Sequence, residues 1–200
     1  MKRMRVISGI YRSRRLAAPD GLATRPTGDR VRETLFNILA PRIAGATFAD
    51  LFAGSGANGI EAISRGAGMV FFVENAPPAL EALRLNLKSL GIVSGFGLEP
   101  RSVSSFLRRL AQRERRLDIV FLDPPYDALP EYAVTLDLLG GECSSLLDRE
   151  SIVVAEHRRK QPLAEQYGEL VRYRVREQGD TALSFFQRKK MDIEESSSPI

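Results

Sequence analysis

The sequence predicts an α/β fold with a mostly parallel sheet and an antiparallel edge. Three observations lead there. Apolar, β-branched runs of strand length at residues 46–52, 69–73, 117–122 and 151–156 alternate with segments of helical periodicity. The first run leads into Ala53-Gly54-Ser55-Gly56-Ala57-Asn58-Gly59, a glycine turn that opens a helix. Near the end, residues 170–176, a Gly179-Asp180 turn and residues 182–187 read as a closing hairpin.

The elements follow in order. Residues 4–16 form a short hairpin or arm around Ser8-Gly9, and Pro19-Asp20-Gly21 is a turn signal. Thr27 or Asp29 caps a helix with an apolar face of Val31, Leu35, Ile38 and Leu39, ending before Pro41; its other face shows Arg30, Arg32 and Glu33. After the glycine turn a helix runs to Arg65-Gly66, and the second strand ends at Glu74. Residues 77–90 carry a stripe of Leu80, Leu83, Leu87 and Leu90. Residues 94–100 form a weak strand, and Val103, Phe106, Leu107 and Leu110 mark the next helix. The strand at 117–122 ends in Asp123-Pro124-Pro125-Tyr126, and Tyr132, Leu136 and Leu139 mark a helix after it. Residues 191–200 are acidic and serine-rich, the composition of a disordered tail.

Two hundred residues predict one domain with a small appendage. No apolar run approaches the ~20 residues of a membrane span. Nor is the stretch between the N-terminal charges long enough for a signal-peptide core. A single cysteine, Cys143, excludes an internal disulfide and a cysteine-based zinc site, and it fits a reducing cytoplasm. His157 is the only histidine and reads as a surface residue beside Arg158, Arg159 and Lys160. Residues 1–32 hold nine Lys or Arg against two Asp, a net of +7, whereas the whole chain carries +4 and the remainder therefore −3. A basic arm on a mildly acidic body suits a polyanionic partner, a solubilising tail being the alternative.

Two motifs carry chemistry. Gly54-x-Gly56-x-x-Gly59 with Glu74 twenty residues past Gly54 has the form of a dinucleotide-binding fingerprint. Asp50, four residues before Gly54, separates two cofactors. A carboxylate there repels the pyrophosphate of NAD and attracts the ammonium or sulfonium of S-adenosylmethionine. Glu74 then takes the ribose hydroxyls. The second motif, Asp123-Pro124-Pro125-Tyr126, sits where open α/β sheets bind ligands. Its prolines remove two N–H donors, leaving a stiff row of acceptors suited to a planar NH2 group, with an aromatic ring to stack on its carrier. An ordinary Asp-Pro turn is the alternative.

With both motifs in place, the chain resembles a Rossmann-type amino-methyltransferase. More narrowly, it resembles the bacterial family that methylates the N2 amine of a guanine in small-subunit (16S) ribosomal RNA. The residues that carry the resemblance are Arg25-Pro-Thr-x-Asp-Arg-Val-Arg-Glu-Thr-Leu-Phe-Asn37, Ala53-Gly-Ser-Gly-Ala57 with Gly59-x-Glu61-Ala62, Ser64-Arg65-Gly66-Ala67 and Phe72-Val73-Glu74, over residues 4–188. Asp-Pro-Pro-Tyr by itself is shared with adenine-N6, cytosine-N4 and protein-glutamine enzymes. Gly28 and Asn58 depart from the family pattern, as does the stretch 97–103, which lacks the usual acid after the third strand.

The resemblance implies a basic arm over residues 1–24 and a methyltransferase domain over 25–190. It implies an S-adenosylmethionine site of Asp50, Ala53, Gly54, Ser55, Gly56, Gly59, Glu74, Asn75, Ser102 and Val103. The adenine amine falls to Ser102 by position or to Glu99 by chemistry. Asp123, Pro124, Pro125 and Tyr126 form the catalytic loop, and Arg12, Arg14, Arg15, Arg25, Thr27, Arg30 and Arg32 the RNA-binding set. No metal is expected. The expected partner is ribosomal RNA within a small-subunit particle, acted on by a cytoplasmic monomer. The competing functions are a DNA adenine-N6 methyltransferase, a nucleic-acid-binding module with a vestigial pocket, and an NAD-linked oxidoreductase.

Overall fold

Apolar strand segments flanked by amphipathic helices assemble here into three layers. The computed structural model describes residues 4–18, 28–125 and 129–189; Arg25, Thr27, Tyr126, the Pro19-Asp20-Gly21 signal and the expected tail at 191–200 lie outside them. Helix α1 (Gly28–Ile43) precedes β1 (Thr47–Leu51), α2 (Ala57–Ser64), β2 (Met69–Val73), α3 (Pro77–Leu90), β3 (Phe96–Glu99), α4 (Val103–Ala111), β4 (Ile119–Leu122) and α5 (Leu129–Gly140). Strands β5 (Ile152–Arg158), β6 (Gln166–Tyr167), β7 (Leu170–Gln178) and β8 (Thr181–Arg188) complete the sheet.

The strand order is β3-β2-β1-β4-β5-β8-β7-β6. The first four pairings in the series, up to β5, are parallel, and β8, β7 and β6 then add antiparallel. Alternation along each strand sends side chains to opposite layers. Phe48, Phe121, Val154 and Phe185 join α1, α2 and α3 in one core, while Ala49, Leu51, Val120 and Phe186 join α4 and α5 in the other. Strand order reverses between β1 and β4, so the loops after these two strands open a crevice at the sheet's carboxyl edge. No described helix is long and apolar enough to cross a membrane.

Residues 4–18 form a hairpin closed by an Arg5–Arg15 bridge and bonds such as Val6 N to Arg14 O and Leu16 N to Met4 O. Val6 and Leu16 are buried, so the hairpin is docked on the body. Gly9 (φ +82°) lies so close to α2 that a Cβ would sit 1.8 Å from the Ser64 carbonyl oxygen.

Three sequence expectations need correction. Helix α1 does not stop before Pro41 but continues to Ile43, because Leu35, Leu39 and Ile43 extend one buried stripe past the proline. Arg32 is not on the outer face: it is buried, and its Nη2 donates to the Arg5 carbonyl at 2.7 Å and to Asp29 Oδ1 at 2.9 Å. His157 is not a surface residue either. Strand β5 runs on past Glu156, pairs His157 with Ala182 of β8, and buries the ring. Its Nδ1 faces the Arg158 and Gln161 carbonyls at 3.0 and 3.1 Å, so Nδ1 carries the proton and Nε2 accepts from Ser184 Oγ at 2.8 Å. Burial lowers its pKa, which keeps the ring neutral and structural.

Candidate active site

The carboxyl edge at the β1–β4 reversal gathers three acids. Asp50 lies near the end of β1, in register with Phe72 and Phe121. Its side chain is buried on the α2 side, and Oδ2 accepts from Gly59 N at 2.8 Å. Burial pushes this carboxyl up to about 8; the Gly59 bond opposes the shift, and the nearby charges of Asp123 and Glu74 add to it. Glu74 follows β2. Its Oε2 accepts from Gly54 N at 2.8 Å, and Oε1 from Asn75 N and Ala76 N, both at 2.8 Å. Asp123 follows β4 with partial exposure, between the β4 core and the buried Pro124; Pro125 is exposed.

The loop joining β1 to α2 is shaped by its glycines. Phe52 sits at φ +65°, a conformation that costs an aromatic residue ~1–3 kcal/mol and recurs where surrounding structure holds a functional loop. Gly54 (φ +57°) has open space where a Cβ would stand. Gly56 and Gly59 serve packing instead, since a Cβ would meet Leu83 Cδ1 and Phe72 Cε1, each at 2.2 Å. The free space therefore borders Gly54, whose N–H is held by Glu74.

This donor set fits one of the two nucleoside cofactors. A dinucleotide pyrophosphate needs the loop and helix N–H groups. Here two of them, Gly54 N and Gly59 N, are already taken by carboxylates. The acids leave a site of negative potential with spare acceptor positions, which suits a sulfonium, an ammonium and ribose hydroxyls. S-adenosylmethionine offers all of these.

The remaining predicted residues divide by location. Ala53 N donates to Val73 O at 2.9 Å, tying the loop to β2, and Asn75 N is held by Glu74. Ser55 is buried toward the hairpin, its Oγ 3.8 Å from Met4 Sδ. Ser102 caps α4 by accepting from Ser105 N at 3.3 Å, and the Val103 side chain is buried in the core beneath it. Glu99 pairs with Arg101 at 2.7 Å. Arg12, Arg14, Arg15 and Arg30 are exposed, with Arg14 Nη2 resting on Ser89 O at 3.1 Å. Arg32 stands apart from them as a buried strut, its pKa lowered by burial.

Sequence reasoning missed the residues that hold the arm. Glu61, buried on α2, accepts from Ile7 N at 2.7 Å and Ser8 N at 3.0 Å and pairs with Arg65 at 2.7 Å. Ser64 Oγ accepts from Tyr11 N and donates to Ser8 O. Asn86 on α3 accepts from Ala17 N at 2.7 Å and donates to the Ala17 and Ser55 carbonyls, both at 2.9 Å. It therefore joins the arm to the glycine loop. The available signals were Glu61 and Ser64 in their motifs, and a polar Asn86 interrupting a leucine stripe.

The family described as conserved hypothetical protein 95 matches residues 4–187. The chain belongs to the conserved hypothetical protein 95 family. Among its relatives, Ribosomal RNA small subunit methyltransferase D of Escherichia coli is 36% identical over 188 residues, covering 93% of this chain and 90% of the relative. The solved structure of the Escherichia coli protein yhhF superposes with a TM-score of 0.80 at 34% identity, covering 94% of this chain and 99% of that one. The Haemophilus influenzae protein HI0767 gives 0.76 at 30% identity, covering 94% and 100%. The match to the conserved hypothetical protein 95 family thus spans the arm, the glycine loop and the sheet of this chain.

Proposed function

We propose that this chain methylates the exocyclic N2 amine of a guanine in small-subunit ribosomal RNA, with S-adenosylmethionine as donor. The carrying observation is the carboxylate-capped glycine loop set beside Asp123-Pro124-Pro125 at the strand-order reversal. The name of the Escherichia coli relative supports ribosomal RNA methylation. The guanine-N2 assignment extends that reading through the acceptor row and the resemblance of residues 25–37.

The bound cofactor supplies an electrophilic methyl on sulfur. Glu74 accepts from its ribose hydroxyls while bracing Gly54, and the cofactor's positive charge draws the buried Asp50 carboxyl toward its ionised form behind the loop. Gly54 leaves room for close approach. The target amine is a weak nucleophile because its lone pair is delocalised into the ring. The Asp123 carboxylate and the Pro124 carbonyl each accept one of its N–H groups, drawing the nitrogen toward sp3 and localising the lone pair. Asp123 then takes the released proton or passes it to solvent. Positioning and electrostatics carry the rate. Tyr126 stacks on the base, which must leave its own stack to reach the loop. Arg12, Arg14, Arg15, Arg25 and Arg30 hold flanking phosphates. The protein acts as a cytoplasmic monomer.

The test uses methyl-labelled cofactor with bare ribosomal RNA, ribosomal particles from cells lacking the enzyme, and duplex DNA, each digested to nucleosides. Label in N2-methylguanosine from RNA or particles is expected. Label in N6-methyladenine from DNA, or none anywhere, would overturn the reading.

A further inference from the structure

Strand β7 carries a feature that the arm and the catalytic loop do not use. Its pairing with β8 slips between Arg172 and Arg174: Arg172 faces Phe186 and Arg174 faces Phe185, leaving Tyr173 as the extra residue. Such a bulge re-aims side chains. Here Tyr173 and Arg174 both reach the Phe185 face, with Tyr173 at 6.3 Å between ring centroids and the Arg174 guanidinium 5.6 Å over the Phe185 ring. Phe185 belongs to the core on the α1 side, which fixes the face.

Alternation then places Arg176 and Gln178 on the same side. Gln178 confirms it, since its Oε1 accepts from Thr34 Oγ1 of α1 at 2.8 Å. Arg30 precedes Thr34 by one turn on the same helical stripe and is exposed. Tyr173 is 49% exposed, and Arg174 and Arg176 are exposed. The neighbouring cations are engaged by acids, Arg159 with Glu177 and Arg172 with Glu165. Among the described residues, Arg174 and Arg176 form no such ion pair. Strand β7 runs parallel to β5, so Gln178 lies toward the carboxyl edge, three strand spacings from β4, or about 14 Å.

We infer that Tyr173, Arg174, Arg176 and Arg30 form a shelf that binds a single-stranded RNA segment, Tyr173 stacking on a base and the arginines pairing with phosphates. The bulge sets a π-face beside a cation, the combination that reads single strands without sequence preference. Phe185 pins the Arg174 guanidinium by its face, leaving its N–H rim for phosphate oxygens. The shelf rests on ribosomal RNA being the substrate. It places a second contact across the catalytic loop from the arm.

The experiment measures binding of bare small-subunit ribosomal RNA to the full chain across a salt titration. The double variant Arg174→Ala/Arg176→Ala should bind more weakly and lower the salt slope by about 1.4, two phosphates at ~0.7 each on a single strand. Tyr173→Leu should weaken binding roughly 5- to 150-fold with the slope unchanged. Arg174→Lys/Arg176→Lys should restore the slope, and cofactor affinity should hold in all of them. Unchanged affinity and slope in folded Ala and Leu variants would overturn the shelf. The readout is binding, so the two readings fail separately. A wild type that binds with shelf sensitivity but transfers no methyl overturns only the proposed reaction, whereas normal transfer with insensitive variants overturns only the shelf.

Discussion

Asp50 does two things that pull against each other. Its carboxylate must accept from Gly59 N to hold the glycine loop, yet burial raises its pKa to about 8. An acid near 4 when unfolded and near 8 when folded binds its proton more tightly in the folded state. Between about pH 4 and pH 8 the folded protein therefore holds more protons, and stability falls as pH rises. Asp50→Asn keeps an acceptor for Gly59 without the ionisation. Without cofactor, thermal unfolding from pH 5 to 9 should show the wild type losing stability relative to Asp50→Asn as pH rises. Parallel curves would mean that Asp50 is solvated or paired in solution. Asp50 was legible in the sequence as an acid near the end of the first strand. Its bond to Gly59 was not, because the eight intervening residues show no sign of how the loop folds back.

At the scale of elements, the arm and the glycine loop are joined. Glu61, Ser64 and Asn86 fasten residues 7–17 to α2 and α3, while Arg12, Arg14 and Arg15 remain exposed. Replacing these three arginines by Ala should weaken RNA binding and lower the salt slope, with cofactor affinity and melting temperature unchanged. An unchanged RNA affinity across the titration would make the arm a solubiliser. The hairpin itself could be read from loosely alternating Val6, Ile7 and Ile10. Its docking could not, because it depends on backbone N–H groups meeting side chains more than fifty residues away. Arg32 shows the same limit: charge alone placed it outside, whereas the Arg5 carbonyl and Asp29 draw it inward. The bulge at Tyr173 left no mark in the alternation of residues 170–176.

Over the whole molecule, the strand order turns separate motifs into one site. Residues 50, 54, 74 and 123 are scattered along the chain, yet the β2-β1-β4 neighbourhood brings their strand ends to one crevice. This much was legible, since buried strands followed by glycine, acid or proline loops specify a parallel sheet with its chemistry at the carboxyl edge. The proposed reaction gives the chemistry to Asp123 and the binding to the arm and shelf. The most direct test is single-turnover methyl transfer by Asp123→Ala and Asp123→Asn, with cofactor and RNA dissociation constants measured on the same preparations. In the proposed reaction Asp123 acts mainly in the transition state, where the amine hydrogens become more positive, so Asp123→Ala should lower the rate by a large factor with small changes in both constants. Asp123→Asn retains one acceptor without charge and should fall between the Ala variant and the wild type. Near-normal turnover in Asp123→Ala would contradict the account and reduce Asp123-Pro124-Pro125 to a turn after β4.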